Sequence, residues 1–72
     1  MKKFSVLIAG RHATSISLED EFYQALTKIA AEKKKPLSTL ITEIDETRTT
    51  NNLSSAIRLY ILKDLEQKIT QS

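Results

Sequence analysis

The chain has 72 residues, a net charge of +2, 40% hydrophobic and 28% charged residues, and no cysteine. This balance fits a folded protein rather than a disordered one; it excludes disulfides, and with a single histidine it argues against a structural zinc site. No apolar run approaches the roughly 18 residues of a membrane span, and Phe4 to Ala9 is too short for a signal-peptide core, so a cytoplasmic protein is expected.

The whole chain, residues 1–72, reads as one small domain, with neither an internal repeat nor a low-complexity segment. Residues 1–10 are read as an extended arm or short strand: Phe4, Val6, Leu7 and Ile8 favour β structure, and Gly10, the only glycine, marks a bend. Gly10 and Arg11 suit either a turn or a bulge. Residues 12–18 alternate as a strand, with Thr14, Ile16 and Leu18 on one side and Ala13, Ser15 and Ser17 on the other. A lone strand leaves its own N–H and C=O groups unpaired, and a chain of this size buries only about 60% of its unfolded surface. The expected remedy is a second copy whose equivalent strand pairs with this one.

At Glu19 the period changes to 3.6. Phe22, Leu26, Ile29 and Ala30 share one face of a helix over residues 19–34, with Ser17 as its cap and Glu19, Asp20 and Glu21 suited to the positive end of the dipole. Lys33, Lys34 and Lys35 close it, and Pro36 ends this helix or begins the next. A second helix over 37–47 carries Leu37, Leu40, Ile41 and Ile44 as its apolar stripe. Arg48 to Asn52 reads as a loop, and Asn52 as the cap of a third helix over 53–69. Leu59 and Leu62 give that helix a second apolar flank, which implies packing on its own domain and on a partner. Thr70, Gln71 and Ser72 are expected to fray.

Strand, helix, turn, helix in this order, with the runs Ser15-Ile16-Ser17-Leu18-Glu19-Asp20-Glu21-Phe22-Tyr23 and Leu37-Ser38-Thr39-Leu40-Ile41, resembles the ribbon-helix-helix family of small dimeric DNA-binding proteins. Asn52-Leu53-Ser54-Ser55-Ala56-Ile57-Arg58-Leu59 is similar to a bacterial subgroup with an added third helix. The resemblance implies a mostly α fold with one N-terminal strand. Two chains of a homodimer would pair these strands into an antiparallel ribbon that enters the DNA major groove. Arg11, Ala13, Ser15 and Ser17 match base-facing positions. Leu37 and Ser38, with Lys35 beside them, match a phosphate clamp at a helix N-terminus. Thr14, Ile16, Leu18, Phe22, Leu40, Ile41 and Ile44 match the dimer core. Two departures stand out: Ala13 occupies a position often basic in the subgroup, and Pro36 one where a capping serine is usual.

The implied function is a sequence-specific DNA-binding homodimer acting as a transcriptional regulator, with pairs of dimers on DNA as a further assembly. Rivals are an antitoxin-type protein with a toxin partner, and an interaction module that keeps the fold without binding DNA. No catalytic pair, metal set, cofactor or membrane partner is expected: His12 is single, and Ser54 and Ser55 read as a first helical turn.

Overall fold

The computed structural model describes residues 1–71, with side chains through residue 69. Two strands, β1 (Lys2–Ile8) and β2 (His12–Leu18), precede three helices, α1 (Asp20–Glu32), α2 (Leu37–Thr47) and α3 (Leu53–Gln71). Strand followed by helices is the order expected, but the arm is not free. β1 pairs antiparallel with β2 in the register Lys2↔Leu18, Phe4↔Ile16 and Ile8↔His12. The strand partner sought in a second copy is therefore supplied within the chain.

Backbone geometry at the bend makes this pairing possible. Ala9 and Gly10 both have positive φ, 54° and 69°, and the Arg11 N–H donates to the Ile8 carbonyl at 3.0 Å. Positive φ at both central residues is the signature of the type I′ turn, whose twist suits a hairpin. The ladder pairs Ile8 with His12, so Arg11 is left outside the register as an extra residue at the turn. The Ala9 N–H donates to Thr42 Oγ1 at 3.0 Å, fastening the turn to α2.

The hairpin's inner row packs on the helices. Ile8, Ile16 and Leu18 join Leu26, Ile29, Ala30, Leu40, Ile41, Ile44, Ala56, Ile57 and Ile61 in one buried cluster that contains no polar side chain. Each large aliphatic side chain there contributes roughly 1.5–3 kcal/mol by leaving water. Phe4 meets Tyr23 edge to face at 5.0 Å, and Lys2 lies over the same ring, which pins β1 to α1. Of the residues assigned to a shared dimer core, Ile16, Leu18, Leu40, Ile41 and Ile44 are already buried by their own chain, while Thr14 and Phe22 are half-buried.

The helix ends depart from expectation for local reasons. Ser17 lies inside β2 and does not cap α1; Glu19 occupies the N-cap position without a capping side-chain bond. α1 stops at Glu32 because Lys34 turns left-handed (φ 56°), with the Lys35 N–H donating to Ala30 O and the Lys34 N–H to Ala31 O. That pair of bonds is a Schellman ending, so Pro36 is not what terminates the helix. Pro36 is instead the N-cap of α2. Asn52 does cap α3, its Oδ1 accepting from the Ser55 N–H at 3.3 Å. α3 continues through Gln71, and Ser72 lies outside the described residues.

α3 buries Ala56, Ile57 and Ile61 and is tied to α1 by Lys68, which donates to Glu32 Oε1 at 2.7 Å. Its other side leaves Leu59, Leu62 and Leu65 about half exposed. Among the described residues no helix is long and apolar enough to cross a membrane.

Candidate nucleic-acid interface

Side chains alternate across a strand, so the pairing that buries Ile16 and Leu18 turns Ala13, Ser15 and Ser17 to the opposite side of the hairpin. Ala13 and Ser15 are exposed and Ser17 is half-buried. These three proposed base-facing residues thus share one surface, and Arg11 stands exposed at its turn end. The ladder fixes the backbone of this surface, and the small side chains leave it low, so another molecule could approach closely.

The sequence reading missed the other half of the surface. Cross-strand partners lie on the same face, and β1 sets Lys3 opposite Ser17, Ser5 opposite Ser15 and Leu7 opposite Ala13. The signal was present in the alternation of Phe4, Val6 and Ile8 with Lys3, Ser5 and Leu7. The apolar Leu7, 55% exposed, blurred it.

The start of α2, which the family resemblance matches to a phosphate clamp, lies next to the turn end of this surface. Leu7, Ala9 and Gly10 line a shallow hollow with Ser38, Thr39 and Thr42 of α2. The first turn of α2 has no acidic residue, and Pro36 offers no side-chain cap. Among the described residues no side chain caps its leading N–H groups, whereas α1 opens with Asp20 and Glu21 and α3 with the Asn52 cap. Leu37 and Ser38 are both half-buried at this helix start.

Lys35 is placed differently from expectation. Its Nζ donates to both carboxylate oxygens of Glu43 at 2.8 Å, a pairing across α2 that no local spacing rule foretells. Glu43 and Glu46 also line the hollow, which opposes an anion there. The cations that no ion pair holds, among the described residues, are Lys3, Arg11, Lys28, Lys33, Lys34, Lys63 and Lys2, the last over its aromatic ring.

Between the ribbon and α1, Glu19 is held by α3. Arg58 Nε donates to Glu19 Oε1 at 2.9 Å, and this bond above all keeps the Glu19 carboxyl below its ordinary pKa. The pair fixes the corner at which the ribbon meets the helices.

A family model described as a ribbon-helix-helix domain matches residues 1–65. No curated protein and no solved structure matches the chain. Such domains generally dimerise and bind DNA, and are typically non-enzymatic. With its ribbon, its helix pair and a match that spans nearly the whole sequence, the chain belongs to the ribbon-helix-helix domain family.

Proposed function

We propose that this protein is a sequence-specific DNA-binding homodimer that regulates transcription, with the outward face of the hairpin entering the major groove. The observation that supports this most directly is the row Ala13, Ser15 and Ser17, held outward by a ladder whose other side is anchored in the core. A two-stranded ribbon fits the major groove, and serine hydroxyls both donate to and accept from base edges. Arg11 meets phosphate or a guanine edge at the turn end. Leu37 and Ser38 hold a phosphate through the open N–H groups of α2, and Lys35 adds its charge only by loosening its grip on Glu43.

Self-association falls to surfaces that one chain leaves open. Among the described residues, the outer edge of β2 makes no backbone hydrogen bond to another element, and α3 exposes Leu59, Leu62 and Leu65. Sedimentation across micromolar concentrations, with and without DNA, measures the number of copies.

The deciding experiment is selection of bound sequences from random duplex DNA, followed by titration at several salt concentrations. Replacing Arg11, Ser15 and Ser17 by alanine should leave the fold intact and erase the preferred site. Each lost base contact should cost about 1–3 kcal/mol of discrimination. Retention of both affinity and preference would show that this row does not read the site, whereas a wild type without salt-dependent binding to any duplex would favour the second reading, an interaction module without DNA binding, which the acidic Glu43 and Glu46 beside the clamp support.

A further inference from the structure

The hairpin places a second row of side chains beside Ala13, Ser15 and Ser17, and that row has a chemistry of its own. Ser5 lies opposite Ser15 at the centre of the ladder. Lys3 lies opposite Ser17, at the end away from the turn. Leu7 lies opposite Ala13 and keeps 55% of its surface exposed, although it is apolar and the core is a strand's thickness away. None of the three is needed to close the core, since the inner row of β1 is Phe4, Val6 and Ile8.

We propose that β1 is a second reading strand, whose outward row joins that of β2 in contacting DNA. Ser5 contacts base edges together with Ser15. Leu7 and Ala13 form an apolar step that suits a thymine methyl group. Lys3 grips phosphate at the far end of the face, opposite in position to Arg11 at the turn. This inference rests on the DNA-binding reading above and assigns to β1 a part in it.

Three dimensions support the placement. Cross-strand neighbours stand about 5 Å apart at Cβ, so bases within reach of Ser15 are within reach of Ser5. Strands lie about 4.8 Å apart, which makes the hairpin with its side chains a match for a groove about 12 Å wide. Arg11 and Lys3 lie near opposite ends of a seven-residue strand pair, some 20 Å apart at about 3.3 Å per residue. With the strands running along the groove, Lys3 on β1 and Arg11 just before β2 stand on different sides of the hairpin, so each long basic side chain reaches a different backbone while the small residues between them meet the bases. Neither cation is held by an ion pair among the described residues. Lys3 thus supplies, from the neighbouring strand, positive charge that Ala13 does not bring to the face.

The test uses the full chain and a pool of random duplex DNA. The wild type, Lys3→Gln and Ser5→Ala are each put through selection, and each is titrated against the wild-type site from low to moderate salt; circular dichroism melting checks the fold. Ser5→Ala should melt like the wild type and lose about tenfold in preference at one base position. Lys3→Gln should keep the preferred site, bind all duplexes more weakly, and lower the salt slope by about one unit for each chain bound. If both variants return the wild-type site with the wild-type slope while the Ser15 and Ser17 replacements do not, β1 takes no part in reading and the inference is overturned. If the wild type itself shows no salt-dependent binding to any duplex, the DNA-binding reading fails first and takes this one with it.

Discussion

Arg58, on the second turn of α3, donates to Glu19, the single residue between β2 and α1, at 2.9 Å. The bond joins the third helix to the corner from which the ribbon projects. Because the folded pKa of Glu19 lies below its ordinary value of 4.5, folding favours the charged form. Its contribution is complete above that value and is lost as the pH falls through the lowered one. Glu19→Gln should therefore flatten the acid limb of stability, measured as the melting midpoint from neutral pH down to about pH 3. Identical acid limbs in wild type and variant would show that the bond carries no stability.

The turn holds an alanine in the left-handed region. A side chain there costs about 1–2 kcal/mol, part of which glycine forfeits through the freedom of the unfolded chain. Ala9→Gly should raise stability by several tenths to about 1 kcal/mol in denaturant unfolding. Gly10→Ala should lower it by a similar amount through φ alone, because nothing lies within 4 Å of the added carbon. Equal stability of both variants would mean that the turn is not held in this geometry.

The two sides of α3 should respond in opposite ways. Ile61 is 1% exposed, so Ile61→Ala should cost about 2–5 kcal/mol. Leu62, its neighbour, is 50% exposed, and Leu62→Ala at low protein concentration should stay within about 0.5 kcal/mol. A large cost at Leu62 that grows with protein concentration would identify the leucine side as a contact between copies.

Strand polarity has its own check. Ile16 is 2% exposed, and Ile16→Asp places a charge in the aliphatic cluster, which should cost several kcal/mol and abolish folding. Ser15→Asp, one residue away on the open side, should remain folded and be impaired only in binding an anionic partner. A folded Ile16→Asp protein would mean the faces are reversed.

Neutralising Lys33 and Lys34 should weaken binding to all duplexes about equally, because phosphate contacts position the protein without choosing a sequence. Lys35→Gln should behave otherwise. It frees Glu43 beside the α2 N-terminus, so its loss of affinity should exceed that of either neighbour and be partly restored by the added change Glu43→Gln. Equal losses at all three lysines would show that the Lys35–Glu43 pair has no bearing on binding.

Period and capping made much of this fold legible in the sequence. The alternation from His12 to Leu18 and the spacing of Leu37, Leu40, Ile41 and Ile44 follow from local chemistry, and Asn52 announces α3 by itself. What escaped depended on contacts between distant residues. Lys35 and Glu43 are too far apart for helical pairing, and Glu19 meets Arg58 from the other half of the chain. Ser17 reads as a cap from sequence because the strand's end cannot be told from the helix's beginning without the burial of Leu18. β1 is hard to recognise for a further reason: its turn uses Ala9-Gly10 rather than the asparagine-glycine pair that advertises a hairpin. Of the surface described above, β2's share was readable from parity alone, and β1's required the register.

That register changes what dilution does to this protein. When a ribbon is assembled from one strand of each of two chains, its outer face exists only while the chains are together. Here both strands are joined by Ala9 and Gly10, so the face forms in the same event that buries Ile8 and Ile16. Dilution can separate one copy from another, and leaves the making of each hairpin to the chain itself.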